Sequence, residues 1–184
     1  MLTKQEALDL LHENIKTESL IIHSLSVSAI MKELAKRLEK DEEKWEITGL
    51  LHDLDYEFTK ENPEIHAIKT VEILDDKVED EIKDAILAHN EKKDIEKDIE
   101  IALYAADQLA GLITAAVLVR PNKDIEGLTV KSLKKKFKDK AFAKGADREK
   151  IQQIQRLNIE LEEFFQIGIN GMINIKDKLS FDKA

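Results

Sequence analysis

The chain of 184 residues has 42% hydrophobic and 36% charged residues, which predicts a soluble globular protein rather than a disordered one. Its formal net charge of -9 argues against duplex nucleic acid as a partner, because an acidic surface repels phosphates. The absence of cysteine excludes disulfides and thiolate metal sites, and the low content of proline (two) and glycine (six) favours long helices.

The spacing of apolar residues predicts an all-α fold, because no strand-like alternation persists anywhere in the sequence. Thr3 followed by Glu6 is a capping-box pattern, which predicts that the first helix begins at Lys4. Asn62 followed by Pro63 predicts another helix start, since proline is favoured at the first helical position. The predicted helices cover residues 4–14, 17–38, 42–54, 63–74, 79–89, 98–119, 129–138 and 147–178, and a loop is predicted at 56–62.

The most apolar segment covers residues 101–119 and is about as long as a membrane span. Asp107 and Gln108 lie near its centre, where a charge costs about 3 kcal/mol in a bilayer. We therefore predict a buried core helix, no membrane partner and a cytoplasmic protein. Asp107 is the one formal charge in this segment, so its carboxylate needs a cation, a metal or a hydrogen-bond network.

Four residues on three predicted helices have the chemistry of a metal site. His23 lies in the apolar stripe of the second helix, His52 and Asp53 end the third, and Asp107 lies in the long apolar helix. Imidazole and carboxylate ligands suit divalent Mn, Fe, Co, Ni, Zn or Mg, and helical bundles build such sites from facing side chains. Gly49, one turn before His52, predicts a close approach of another helix. The alternative is a set of buried hydrogen bonds without a metal.

The segments IIHSLSVSAIMKELA, LLHDLDYE and YAADQLAGLI resemble the HD superfamily of metal-dependent phosphohydrolases. The signature of that superfamily is a histidine, a later His-Asp doublet and a distant aspartate, each on a separate helix. The similarity covers about residues 23–120, and the tail LKKKFKDKAFAKGADREKI is similar to that of a group of bacterial HD-domain proteins. The resemblance implies a metal-dependent hydrolase of phosphoester or phosphoanhydride bonds, often in nucleotides. It assigns the metal and the catalysis to His23, His52, Asp53 and Asp107.

His66 and His89 lie between the doublet and Asp107. The resemblance implies that they complete a second metal site, with Asp53 bridging two ions, or that they bind the substrate phosphate. One or two ions are therefore expected. Two other functions remain open: a dinuclear-iron oxygenase with an HD-type site, and a non-catalytic HD signalling module.

The remaining expectations rest on charge and composition. Lys60, Lys69 and Arg120 are candidate contacts for the phosphate of a small substrate, and Asp55 is a candidate to orient water or to neutralise a lysine, or is simply a loop acid. The basic run from Lys131 to Lys140 is either a solvated helix face or a lip that attracts an anionic nucleotide or an acidic partner.

The composition shift at Pro121 predicts an HD metal-binding catalytic core over residues 1–120 and a C-terminal helical extension over residues 121–184. The extension carries an apolar stripe, which predicts packing on the core or pairing with a second copy, and so a monomer or a homodimer.

Overall fold

Ten α-helices build residues 2–181, the part of the chain that this computed structural model describes, and no strand occurs in that range. The all-α fold predicted from the sequence is therefore confirmed. Four short 3-10 segments of three to five residues also occur in that range. The helices are α1 (Lys4–Asn14), α2 (Glu18–Arg37), α3 (Glu42–Leu51), α4 (Tyr56–Thr59), α5 (Ile68–Leu74), α6 (Asp80–His89), α7 (Asp98–Leu118), α8 (Val130–Lys138), α9 (Arg148–Gln152) and α10 (Leu161–Asn174).

Helix α7 is the central element of the core. By length and composition alone it is apolar enough to cross a membrane, but most of its residues are buried inside this fold. It packs against α2, α6, α9 and α10. The sequence prediction of a buried core helix holds, and Asp107 is therefore carried into the centre of the bundle.

Two glycines allow neighbouring helices to approach the backbone of α2. A Cβ atom at Gly49 in α3 would lie 2.8 Å from the Cα of Ser28, as the sequence predicted for this position. A Cβ atom at Gly171 in α10 would lie 2.8 Å from the carbonyl oxygen of Ala29. The α2–α3 crossing fixes the end of α3, and thus His52, beside α2.

The helix predicted over residues 63–74 is interrupted, and this prediction was wrong in detail. A turn at Pro63–Ile65 is followed by His66 in an extended conformation and by Ala67 with φ of 69°, and α5 begins only at Ile68. The break has a tertiary cause, because an Asp55 carboxylate oxygen accepts from the backbone N–H of Thr70 at 3.1 Å and so caps α5. The predicted helix at 42–54 also ends early, at Leu51, and the predicted loop at 56–62 contains the short helix α4.

The single helix predicted over residues 147–178 is also broken. Asn158 adopts the left-handed conformation with φ of 56°, which asparagine tolerates better than most residues, and it separates α9 and a 3-10 turn from α10. Leu157 and Ile159 on either side are both buried, so the chain bends inward at this point. Helix α10 adds Phe164 and Phe165 to the same apolar cluster as α2 and α7. The division of the chain at residue 120 stays a prediction.

Candidate metal centre

The fold brings the four predicted ligands together from three helical segments. His23 lies on α2, His52 and Asp53 lie in the turn after α3, and Asp107 lies in the middle of α7. The Nε2 atom of His23 is 2.8 Å from Asp107 Oδ1 and 3.9 Å from Asp53 Oδ2. The Nε2 atom of His52 is 3.3 Å from Asp53 Oδ2 and 3.6 Å from Asp107 Oδ1. These side chains form the first cluster.

A second cluster shares Asp53 with the first. The Nε2 atom of His66 lies 3.3 Å from Asp53 Oδ1, and the Nε2 atom of His89, at the end of α6, lies 3.2 Å from the same oxygen. Within each cluster the nearest ligand atoms lie within 4.8 Å of one another. Asp53 therefore presents Oδ2 to the first cluster and Oδ1 to the second, as a carboxylate that bridges two ions would.

Three imidazole rings are oriented by hydrogen bonds at Nδ1. The Nδ1 atom of His52 lies 2.8 Å from the carbonyl oxygen of Gly49, and that of His66 lies 2.7 Å from Asp55 Oδ1. The Nδ1 atom of His89 bonds to the carbonyl oxygen of Ile86. Because these partners are acceptors, Nδ1 carries a hydrogen, and in the neutral ring each Nε2 would present its lone pair to the clusters, as metal ligation requires.

One buried atom tests whether a metal fits. Among the described residues, His52 Nε2 is fully buried and has no hydrogen-bond partner of acceptable geometry. A buried nitrogen left without a partner carries a desolvation cost of about 1 to 3 kcal/mol. A cation among His23, His52, Asp53 and Asp107 would satisfy this lone pair and would neutralise both carboxylates. The donor set therefore fits a divalent metal.

The neighbouring imidazole rings strongly shift the pKa values of the two carboxylates, Asp53 and Asp107. Burial acts to raise the pKa of Asp53, but His52, His66 and His89 outweigh it and hold the pKa well below its usual range. His23 and His52 likewise lower the pKa of Asp107 in spite of its burial. Both carboxylates are thus ionised and ready to ligate a cation at neutral pH.

The pKa values of two histidines, His66 and His52, are shifted in the opposite direction. Burial acts to lower the pKa of His66, but Asp53 and Asp55 raise it to about 9. Burial also acts to lower the pKa of His52, but Asp53 and Asp107 raise it well above its ordinary value. In the absence of metal these rings bind protons, and a metal ion must replace those protons.

A family model of the HD domain matches residues 20–131, which is more than half of the chain and includes all residues of both clusters. The chain belongs to the HD domain family. Searches of curated proteins and of solved structures gave no match. The HD domain implies the superfamily of metal-dependent phosphohydrolases, and the His/Asp clusters of this chain fit the metal site of such a domain.

The clusters of this HD domain open into a cavity of about 540 Å³, which is large enough for a small molecule. Tyr56 lies at its edge, 40% exposed, with its ring edge-on to His66 at 5.4 Å between centroids. Part of the wall comes from residues beyond the family match. The lining residues are Leu20, His23, Asp53, Tyr56, His66, His89, Asn90, Asp107, Gln108, Gly111, Ala143, Gly145, Ala146 and Lys150.

The structure places the three predicted phosphate contacts outside this lining. Lys60 is exposed at the end of α4, and Lys69 pairs with Glu72 at 2.5 Å on the surface of α5. The guanidinium group of Arg120 lies beneath the loop at Gly127, where a Cβ atom would be 2.2 Å from Nη2. These assignments rested on charge alone, which does not reveal the direction of a side chain.

Among the described residues that line the cavity, Lys150 on α9 is the lysine. The sequence did not indicate it as a candidate contact for the substrate. Its ammonium group lies 3.2 Å from Glu91 Oε1 and 4.8 Å from the ring centroid of Tyr104. Tyr104 also donates a hydrogen bond of 2.7 Å to Glu91. No signal in the sequence pairs Lys150 with Glu91, because the contact depends on how α9 packs on α7.

Asp55 and Gln108 support one cluster each from outside it. Asp55 is fully buried and holds His66, so its partner is a histidine and not the lysine that was one of the sequence expectations. Gln108 Nε2 donates to Asp107 Oδ2 at 2.8 Å, and its Oε1 accepts from the backbone N–H of Asp147 at 2.9 Å. Gln108 thus links a candidate metal ligand to the C-terminal segment of the chain.

The part of the cavity wall formed by Ala143, Gly145 and Ala146 is held by one arginine. The five N–H donors of the Arg148 guanidinium group face six backbone carbonyls, including those of Ala143 and Ala146 at 2.6 Å each, and Nη2 shares its two hydrogens among three of them. The basic run lies next to this wall but does not line the cavity. Within that run, Lys134 pairs with Glu162, and Lys136 lies 4.6 Å from the centroid of the Phe142 ring.

Proposed function

We propose that this HD domain is a hydrolase of phosphoester or phosphoanhydride bonds in small phosphorylated molecules such as nucleotides. The observation that carries the proposal is the division of Asp53 between two clusters of imidazole nitrogens, at the base of a cavity of small-molecule size. A bound divalent metal would supply an activated water at neutral pH and would polarise the phosphoryl oxygen.

The protein residues would position the reaction. His23, His52, Asp53 and Asp107 would hold one ion, and His66 and His89 would hold a second ion together with Asp53 or would contact the phosphate directly. The carboxylates would keep the imidazole rings in place. Such positioning would matter here, since phosphoryl transfer depends mainly on positioning and charge neutralisation. Lys150 lies on the cavity wall, where its ammonium group would attract an anionic substrate.

The proposal is tested by metal analysis and hydrolysis assays on the same preparations. The full chain, purified without chelator, is analysed for metal and assayed against a panel of nucleotides and simple phosphate esters. We expect Asp53→Asn to lose metal and hydrolysis together, since Asp53 faces both clusters. His66→Ala should lose metal from the second cluster only. Full metal content and full activity in Asp53→Asn would refute the proposal.

A dinuclear-iron oxygenase is the second candidate, and the shared carboxylate also supports it. Two ions bridged by one carboxylate suit the activation of dioxygen as well as hydrolysis. Oxygen consumption by the protein loaded with ferrous iron, combined with no hydrolysis of any phosphoester, would favour the oxygenase. Hydrolysis with manganese or magnesium in the absence of oxygen would favour the phosphohydrolase.

A further inference from the structure

Two glycines line the cavity although neither the packing nor the backbone requires glycine there. Gly111 lies inside α7, and Gly145 lies in the turn before α9. A Cβ atom at either position would meet no other atom within 4 Å. Neither glycine has a positive φ angle. An alanine would therefore fit the described fold at both positions.

Other glycines of the same fold differ in this respect. A Cβ atom would lie 2.7 Å from Leu109 Cδ2 at Gly168, and 2.8 Å from backbone atoms at Gly49 and Gly171. Close packing accounts for these three positions but not for Gly111. Glycine inside a helix also weakens the helix relative to alanine. The open space over Gly111 is thus kept at a cost to the stability of α7.

The open space adjoins the metal centre. Gly111 follows Asp107 by four residues, so both lie on the same face of α7. Gly145 belongs to another part of the lining, in the segment that Arg148 holds and that Gln108 links to Asp107. A group bound between the two glycines would lie one helical turn from a candidate metal ligand.

We propose that Gly111 and Gly145 form the subsite for the organic group of the substrate, and that they set the largest group the site accepts. The inference rests on the proposed function and adds the part of the cavity that limits the size of the substrate's organic group. The phosphoryl group would lie at the metal centre, and the organic group would lie against the backbone of α7 and the 139–147 segment.

Binding of non-hydrolysable phosphonates tests this subsite without turnover. Inorganic phosphate, methylphosphonate and phenylphosphonate are titrated by calorimetry into the metal-loaded full chain and into Gly111→Leu. The matched control is Ala115→Leu, which introduces the same side chain one turn further along α7, outside the cavity lining. We expect Gly111→Leu to weaken phenylphosphonate on the order of tenfold and phosphate much less. Ala115→Leu should bind all three probes like the wild type.

Stability gives a second, independent measurement. Gly111→Ala in the metal-free protein should raise Tm by about 2 °C, because alanine favours the helix and meets no atom. Equal phenylphosphonate affinity in Gly111→Leu and wild type would overturn the subsite. Binding of phosphate without either phosphonate by the wild type would also overturn it. Selective loss of phenylphosphonate in Gly111→Leu would support the subsite even if the wild type hydrolysed none of the phosphoesters and phosphoanhydrides of the panel, a result that would refute the hydrolase alone.

Discussion

Replacing Asp55 by asparagine should weaken the second cluster and leave the first intact. Asp55 is fully buried, and its two oxygens serve His66 Nδ1 at 2.7 Å and the Thr70 N–H at 3.1 Å. If the new amide keeps its oxygen for Thr70, its NH₂ group faces His66. The ring then favours the tautomer with hydrogen on Nε2, which removes the lone pair needed by the metal. Outer partners of ligating histidines are typically worth about tenfold to a hundredfold in metal affinity, or roughly 1.4 to 2.8 kcal/mol.

Calorimetric titration of chelator-stripped protein with Mn²⁺ measures both clusters. We expect the weaker affinity of Asp55→Asn to appear in one of two binding events only, because the Asp55 carboxylate contacts His66 and none of the ligands of the first cluster. Gln108→Leu is the matched variant for the other side, since Gln108 supports Asp107. It should weaken the opposite event. An equal loss at both events in Asp55→Asn, or no loss at either, would refute this division of the centre.

Two further substitutions test the fold and its charge balance. Gly49→Ala should lower the free energy of unfolding by about 2 kcal/mol, because the new Cβ would lie 2.8 Å from the Cα of Ser28; urea unfolding that shows no loss would contradict this packing. The fold raises the pKa of His66 from its ordinary value of 6.5 to about 9, so the protonated ring stabilises the metal-free protein. This stabilisation should be lost as the pH rises from 6.5 through 9, which lowers the free energy of unfolding by roughly 2 to 3 kcal/mol. His66→Gln should flatten this decline in urea unfolding measured across the same pH range, and an unchanged slope would argue against the assigned shift.

The sequence was sufficient for the all-α fold and for the gathering of His23, His52, Asp53 and Asp107. Helical periodicity marks the buried faces, and a carboxylate in an otherwise apolar helix has few stable surroundings besides a polar cluster. Their catalytic and metal-binding roles stay predictions. The order of the motifs along the chain, rather than any single residue, indicated the family that the HD domain match then showed.

Features that depend on tertiary contacts were beyond the sequence. The break before α5 arises because Asp55 caps it from another segment, and no local signal at Ala67 announces a positive φ angle. The position of Lys150 on the cavity wall depends on the packing of α9 against α7. Charge and helical spacing are short-range information. They could not show that Lys150, and not Lys60, lines the cavity.

The six carbonyl contacts of Arg148 have a kinetic consequence. A segment whose carbonyls already bond to one guanidinium group keeps its shape before any ligand arrives. Ligand association then needs no slow ordering of this wall, and little of the binding free energy is used to organise it. Stopped-flow mixing with a small anion should accordingly show a single phase whose observed rate increases linearly with ligand concentration, as expected for a preorganised receptor.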